Sequence, residues 1–200
     1  MPAAANARRH TRDDVARTAL RILDDEGLPD LTMRRLAAAL DVQPSALYWH
    51  FPNKQSLLAE LADRIVAAAT PGRRGPDPRP RTRAAASALR DALLAYRDGA
   101  EVVSSTLALG MGSPTARDRL AAAIVADGFD AAIAPRAAAA LLHFVLGHVW
   151  HEQQRMQYDS IGVTAPDVSI APGRDGSPAA DFAFGVDLLI GGLERSRARA

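Results

Sequence analysis

Apolar side chains recur at helical spacing through most of the chain. In the first such segment, Val15, Ala19 and Ile22 fall on one face, and Gly27 ends the pattern. The same spacing predicts helices over residues 11–26, 32–40, 44–50 and 54–69, and then over 82–98, 101–109, 114–127, 135–157 and 179–197. No internal repeat or coiled-coil heptad is apparent.

Two short helices joined by a tight turn follow the first helix. Thr32 fits the N-cap of one. Pro44 fits the first helical position of the next, where its missing N–H leaves no bond unmade. Residues 41–43 fill the turn between them, so residues 32–50 predict a helix-turn-helix. Asn53 caps a longer helix behind it.

A segment rich in proline, glycine and arginine, residues 70–83, divides the chain. This composition neither continues a helix nor buries a core. We therefore predict a first domain over residues 1–69, with residues 54–69 as a linking helix, a linker or mobile loop over 70–83, and a larger helical domain over 84–200. Residues 158–178 lack periodicity and predict a long loop.

Composition supports an all-α chain. Hydrophobic residues make up 48% of the 200 residues, alanine dominates them, and aromatics supply only 5%, which excludes an all-β fold. The absence of cysteine excludes disulfides, cysteine-ligated zinc and a thiol nucleophile. The most apolar stretch, residues 137–150, is too short to span a bilayer, so we expect no membrane association and a cytoplasmic location.

The second helix of the helix-turn-helix has an inner and an outer face. Leu47 and Phe51 share the inner face, which predicts packing on the preceding helices. The outer face combines small and aromatic side chains: Ser45, Ala46, Tyr48 and Trp49. Exposed aromatics are costly in water unless a partner covers them, and the major groove of DNA is such a partner. Packing of these aromatics against the protein itself is the alternative.

The net charge of the chain does not support DNA binding, but the positions of its charged residues do. The formal net charge is +1, too small for a strongly basic nucleic-acid binder. The cations nevertheless flank the helix-turn-helix: Arg8, Arg9, His10 and Arg12 in an N-terminal arm, Arg34 and Arg35 at the second helix, and His50 and Lys54 after the third. These side chains are candidate phosphate contacts, and Arg34 is a candidate for reading a guanine edge, although any one of them is compatible with a solvated surface charge.

Several motifs resemble one family of regulators. Residues 31–37, the Tyr-Trp-His triplet at 48–50, and Asn53-Lys54 resemble the DNA-binding domain of TetR family transcriptional repressors. Residues 96–100, 128–129, 143–147 and 184–194 resemble the C-terminal domain of the tetracycline-repressor subgroup. The resemblance implies a ligand-responsive regulator, a repressor that binds a palindromic double-stranded DNA operator as a homodimer and is released by a small-molecule effector.

The resemblance also implies which residues contact DNA. They are Thr32, Met33, Arg34, Gln43, Pro44, Ser45, Ala46, Tyr48, Trp49, His50 and Lys54. The Gln43-Pro44 pair lies one position earlier than in tetracycline repressors when Tyr48 is aligned. Ser45 and Ala46 therefore occupy the inner reading positions, and we expect a different operator.

The effector site is expected in the helical domain. Its predicted residues are Leu89, Val103, Thr106, Leu107, Leu120, His143, Leu146, Gly147 and His151, for each of which ordinary core packing is the alternative. In tetracycline repressors a His and a partner-subunit Glu hold the magnesium–drug chelate, and Val103 and His151 stand at those places. Magnesium prefers hard oxygen ligands, so we expect a more apolar effector, with no metal and no cofactor.

Two other functions remain open at this stage. His148, His151 and Glu152 lie at helical spacings, with His143 nearby, and would support a metal-dependent hydrolase, although no HExxH motif is present. A protein-interaction module built on the helical domain is the other, but the chain shows no catalytic motif and we expect no enzyme. The last helix predicts a dimer seam from Phe182, Val186, Leu189 and Leu193, with Gly185, Gly191 and Gly192 permitting close approach and packing within its own domain as the alternative.

Overall fold

Nine α-helices and no strand make up the residues that the computed structural model describes, namely 10–70, 81–162 and 177–197. The helices are α1 Arg12–Glu26, α2 Met33–Ala39, α3 Pro44–Leu47, α4 Lys54–Ala67, α5 Arg81–Leu94, α6 Gly99–Ala108, α7 Thr115–Ala126, α8 Ala134–Ser160 and α9 Pro178–Arg197. The all-α prediction is confirmed. Within these ranges no helix combines the length and the apolar character that crossing a membrane requires.

The first three helices form a small bundle, called the head below. Thr11 and Asp14 form a capping box at the start of α1, and the Thr32 hydroxyl accepts from the Arg35 N–H at the start of α2. The inner side of α3 and the turn after it packs on α1 and α2 through Leu47 and Phe51, which are almost fully buried. The head therefore has an apolar interior, which is continuous with the core of the rest of the described chain.

Three helix ends differ from the prediction by three residues or more. Helix α3 ends at Leu47 rather than residue 50, because the N–H groups of His50 and Phe51 both donate to the Leu47 carbonyl and tighten the chain into a turn. Helix α5 ends at Leu94 rather than 98, ahead of a turn in which Asp98 is left-handed with φ +56°. Helix α8 continues to Ser160, into the predicted loop. Arg8, Arg9, residues 71–80 of the predicted linker and residues 163–176 of the predicted loop lie outside the described residues.

Helix α4 connects the head to the remaining helices, called the body. Arg12 on α1 pairs with Glu60 of α4 at 2.9 Å, and Arg64 of α4 pairs with Asp13 of α1 at 2.7 Å. On its other side α4 packs on α6 and, near its end, on α5 and α7. A displacement of α4 would therefore be transmitted to the head.

The turn between α5 and α6 provides a second contact between the head and the body. The Leu28 N–H, at the end of α1, donates to the Asp98 carboxylate at 2.8 Å, and Gln157 of α8 donates to the same carboxylate. Gly27 makes this approach possible: it has φ +92°, and a Cβ there would lie 3.0 Å from the Asp98 oxygen. The buried Gln153 amide fixes the turn by donating to the Tyr96 carbonyl at 2.8 Å.

The face of α9 that is predicted to form a dimer seam packs within its own chain. Phe182 and Val186 are buried against the body, and Leu189 and Leu193 pack at its edge. Gly185 accommodates the ring of Phe144 from α8, which a Cβ would overlap. Phe182 and Val186 are therefore core residues rather than part of a dimer seam, because the same chain covers them, while a role of the partly buried Leu189 and Leu193 in a dimer stays a prediction.

Candidate DNA interface and effector pocket

The outer face of the third helix and its following turn is exposed as predicted. Trp49 is 90% exposed and Tyr48 49%, and Ser45 and Ala46 beside them are exposed too. The inner side chain Leu47 is 1% exposed. The predicted division between inner and outer faces is confirmed, and no described part of the chain covers the outer aromatics.

The turn between α2 and α3 sets the orientation of this face. Asp41 adopts a left-handed conformation with φ +53°, and the Val42 N–H donates back to the Ala37 carbonyl at 3.0 Å. Pro44 then starts α3, and the Ala46 N–H donates to the Gln43 carbonyl at 2.9 Å. Gln43 and Pro44 are exposed, as Ser45 is. The exposed residues 43–46 and 48–49 are together called the recognition face below.

The predicted cations around this face differ in their surroundings. Arg34 is exposed at the start of α2 and pairs with none of the described residues. The Lys54 ammonium donates to the Leu28 carbonyl at 3.4 Å, and His50 is half-buried. Thr32 uses its hydroxyl as a helix cap, and Met33 packs partly on the head core. Arg34 is therefore the cation with the most freedom to meet DNA.

Three of the predicted phosphate contacts have partners within the chain. Arg35 pairs with Glu26, and the hydrogen bond from Arg35 lowers the pKa of that carboxyl. Arg12 donates to the His50 carbonyl at 3.0 Å and lies 4.3 Å from the centre of the Phe51 ring. His10 hydrogen-bonds the Leu40 carbonyl at 3.0 Å. These contacts stabilise the head, and the role of the three residues as phosphate contacts stays a prediction, since Arg12 and Arg35 remain about half exposed.

A cavity of about 510 Å³ lies in the body, between the end of α4, the first half of α5 and α7. Its described lining residues are Val66, Ala69, Thr70, Arg81, Ala84, Ala85, Leu89, Ala116, Arg119, Leu120, Ala122, Ala123 and Ala126. Two of the predicted effector residues, Leu89 and Leu120, are among them. The volume lies within the range of small-molecule sites, and the lining is mostly apolar.

The other predicted effector residues lie elsewhere. Val103, Thr106 and Leu146 are buried in the body core and Leu107 is half-buried, none of them among the described lining residues. The Thr106 hydroxyl, expected as a polar fixing point, donates to the Val103 carbonyl of its own helix at 3.0 Å. His143, Gly147 and His151 are exposed on α8. Of the nine predicted effector residues, two therefore line the cavity, four belong to the buried or half-buried part of the body, and three are exposed on α8. The three exposed residues are called the surface group below.

Sequence reasoning missed two polar residues, Arg119 in the cavity lining and Asp127 at the end of α7 beside it. Arg119 donates to the Val66 and Ala69 carbonyls at 2.8 and 3.1 Å, at the end of α4. Asp127 accepts from the backbone of Arg81 and Thr82 at 2.9 and 2.8 Å and so caps α5 from the end of α7. Partial burial acts to raise the pKa of Asp127, but the hydrogen bonds from Thr82 and Arg81 outweigh it and lower this pKa. Only the small alanines of α5 and α7 could have indicated room here.

The residues proposed for a metal do not converge. Glu152 pairs with Arg90 at 2.6 Å, with both side chains largely buried. His148 hydrogen-bonds the Pro178 carbonyl at 3.2 Å and lies against the rings of Phe144 and Phe182. In the parts of the chain that the structure describes, no three histidine, aspartate or glutamate side chains are grouped to hold a metal.

A second exposed apolar surface lies on α8 and α9. Phe184 and Leu188, one turn apart on α9, are 65% and 56% exposed. Trp150 on α8 is also exposed, on the helix that carries His143, Gly147 and His151. Large apolar side chains clustered on a surface mark an interaction site.

A helix-turn-helix with an uncovered aromatic recognition face, joined by one helix to a body with an apolar cavity, defines a DNA-binding transcriptional regulator. Comparison with known proteins gives its family. A model described as "Bacterial regulatory proteins, tetR family" matches residues 16–61, and one described as "Tetracyclin repressor-like, C-terminal domain" matches residues 71–168. The chain belongs to the TetR family.

The chain resembles members of this family over nearly its whole length. It is 38% identical to the tetracycline repressor protein class C of Escherichia coli, over 93% of this chain and 91% of that protein. The crystal structure of Mycobacterium smegmatis BioQ is 41% identical with a TM-score of 0.78, covering 92% of this chain and 97% of that chain. BioQ with its double-stranded DNA operator is 39% identical, with a TM-score of 0.73 over 92% and 98% of the two chains. These relatives are regulators rather than enzymes.

Proposed function

We propose that the protein is a ligand-responsive repressor that binds a palindromic operator as a homodimer and leaves it when a small effector fills the cavity. The observation that carries this proposal is the recognition face, where Trp49 is 90% exposed with Tyr48 and small side chains beside it. Small residues at the start of a recognition helix permit close approach to base edges, and aromatics next to them reach the sugar–phosphate backbone.

The DNA contacts are proposed as expected from sequence: Thr32, Met33, Arg34, Gln43, Pro44, Ser45, Ala46, Tyr48, Trp49, His50 and Lys54. Arg34 reads a base edge, since it is exposed and unpaired among the described residues. Lys54 leaves its weak 3.4 Å bond to the Leu28 carbonyl to meet a phosphate. Residues 1–69 form the DNA-binding domain and 84–200 the effector and dimerisation domain, and the linker expected over 70–83 ends before Arg81, where α5 begins.

The homodimer forms through the exposed apolar surface of α8 and α9. Phe184 and Leu188 lie on the side of α9 that its own body leaves open. Packed against the same helices of a second chain, they form a four-helix bundle, the arrangement that family resemblance implies. His143, Gly147 and His151 then lie at or near the subunit interface, where a partner subunit can complete an effector site.

The effector occupies the α4–α5–α7 cavity and is not magnesium–tetracycline. Thr70 carries the only side-chain oxygen among the described lining residues, and magnesium needs several hard oxygen ligands. Release follows from population shift: the effector must bind the conformation with poor operator fit more tightly than the DNA-binding one. The metal-dependent hydrolase has no supporting observation, since Glu152 is held by Arg90.

The test is operator binding by the full-length protein. Fluorescence anisotropy with DNA from upstream of its own gene should show saturable, salt-dependent binding, which the Tyr48→Ala/Trp49→Ala double variant loses. A control variant, Tyr158→Ala, removes an exposed aromatic outside the recognition face, at the C-terminal end of α8, and should bind as the wild type does. Equal binding by the double variant, or none by the wild type at low salt, would contradict the proposal.

A further inference from the structure

The cavity combines an apolar interior with positive charge at its rim. Ten of its thirteen described lining residues are alanine, valine or leucine, and two are the arginines Arg81 and Arg119. None is an aspartate or glutamate. A wholly apolar ligand would leave the guanidinium groups unused, whereas an acid with an apolar body would match both parts of the site.

The two arginines are not equivalent. Arg81 lies at the start of α5, where Asp127 already accepts from its backbone and where the charge of Arg81 lowers the pKa of that carboxyl. Arg119 has no carboxylate partner among the described residues, and its guanidinium donates to carbonyl oxygens. Arg119 is therefore the guanidinium that is available to form an ion pair with an anionic ligand.

Those carbonyls belong to the end of α4. The last carbonyls of a helix have no partner within it, and a cation there also meets the negative end of the helix dipole. Arg119 holds the Val66 carbonyl at 2.8 Å and that of Ala69 at 3.1 Å, while Val66 and Ala69 themselves line the cavity. One guanidinium thus joins the cavity to the helix that carries the head.

We propose that the effector is a small carboxylic acid with an apolar body, and that its carboxylate draws Arg119 away from the end of α4. A guanidinium binds a carboxylate through two parallel charge-assisted hydrogen bonds, which are stronger than its bonds to neutral carbonyls. Occupancy then removes the bonds that tie α4 to α7, and α4 shifts with the head attached through Arg12–Glu60 and Arg64–Asp13. This inference rests on the proposed function, because it names the ligand class and the coupling residue of the same cavity.

The binding arm of the test uses calorimetry on the full-length protein without DNA. The probes are octanoate and 4-phenylbutanoate, each compared with its primary amide. We expect each acid to bind at least about 10-fold more tightly than its amide, since charge-assisted hydrogen bonds are worth more than neutral ones. Arg119→Gln should remove this preference, Arg119→Lys should restore part of it, and Arg117→Gln, which changes an exposed arginine on the same helix, should keep it.

The coupling arm follows hydrogen exchange at the backbone of residues 66–70. Acid should accelerate exchange there at least about 3-fold, as expected when a helix end loses its stabilising contacts, and the amide should not. Arg119→Gln should show the faster exchange without any probe. Equal affinity for acid and amide, a preference that survives Arg119→Gln, no binding of either acid at about 10 mM, or unchanged exchange would each overturn the inference. Loss of the proposed function is separate, because it appears as absent operator binding in probe-free protein.

Discussion

The recognition face and the cavity lie near opposite ends of α4, and they are built in opposite ways. The recognition face is assembled from residues 43–49, adjacent in sequence, and it exposes large aromatics that only a partner can cover. The cavity takes its lining from α4, α5 and α7, and this lining consists mostly of small apolar side chains together with two arginines. A surface for a large rigid partner can be local, whereas a pocket for a small molecule needs walls from several helices. Helix α4 lines the cavity at its end and pairs with α1 of the head through Arg12–Glu60 and Arg64–Asp13, so it is the element that links the two regions.

The largest expected effect is a difference in folding stability between substitutions on the inner and the outer side of residues 44–51. Phe51 is fully buried in the head, and Phe51→Ala should lower the free energy of unfolding by about 3–5 kcal/mol. Trp49→Ala, two residues away, should change it by less than about 0.5 kcal/mol, because an exposed side chain loses no packing. Urea denaturation of both variants measures the difference, and equal losses would mean that Trp49 packs on the protein.

A smaller effect should distinguish base reading from phosphate contact. Arg34→Ala should cost roughly 1–3 kcal/mol in operator binding and relax the preference at one base pair, if Arg34 meets a guanine. Lys54→Ala should weaken binding to all sequences and reduce the slope of log affinity against log salt by about one. Anisotropy titrations with operator and scrambled DNA over a salt series provide both numbers. A loss that is uniform across sequences for Arg34→Ala would contradict base reading.

These contrasts show how far the sequence could be interpreted. Positions 44–51 follow one another within about two turns, so a helical wheel sufficed to place Leu47 and Phe51 inside and Trp49 outside. The cavity gave no such signal. Leu89 and Leu120 are 31 positions apart in the chain, and Arg119 acquires its role only by contact with carbonyls of a distant helix. Val103 and Thr106 were expected in the pocket because apolar periodicity does not distinguish a core from a cavity wall.

The surface group on α8 illustrates the same difficulty. His143, Gly147 and His151 recur at helical spacing, which places them on one side of α8 but does not identify what that side faces. Phe182 and Val186 were expected at a dimer seam for a related reason: they belong to the more extended periodic pattern of the last helix, but the helix buries them in its own body. Phe184 and Leu188, which remain exposed, interrupt that pattern.

A larger side chain in the cavity should reduce the affinity for the ligand more than it reduces the stability of the fold. Ala123 is half-buried in the lining, and Ala123→Leu places a larger side chain in open space. We expect affinity for the acid probes to fall by about 10-fold or more, because the added atoms occupy the ligand's volume. Ala131→Leu, at an exposed alanine after α7, is the matched control and should bind the probes normally. Unchanged binding by Ala123→Leu would place the ligand elsewhere.

The smallest expected effect is pH-dependent and concerns the cap of α5. Hydrogen bonds hold the pKa of Asp127 below its ordinary value of 3.8 in the folded state. The stabilisation from this carboxylate is therefore complete above pH 3.8 and is lost as the pH falls through the lower folded pKa. Asp127→Asn should cost about 0.5–2 kcal/mol at pH 7, and the difference from wild type should shrink below that range. Chemical denaturation from pH 7 downward tests this, and a difference that grows with acidity would reverse the assignment.

The central claim is that two copies of the recognition face read one operator. Hydroxyl-radical footprinting of the full-length protein on its upstream DNA tests it most directly. We predict two protected segments related by two-fold symmetry, with centres about one helical turn of DNA, roughly 34–36 Å, or a multiple of that distance apart. Tyr48→Ala/Trp49→Ala should lose both protections together. A single unsymmetric protected segment, or protection that persists in the double variant, would contradict the claim.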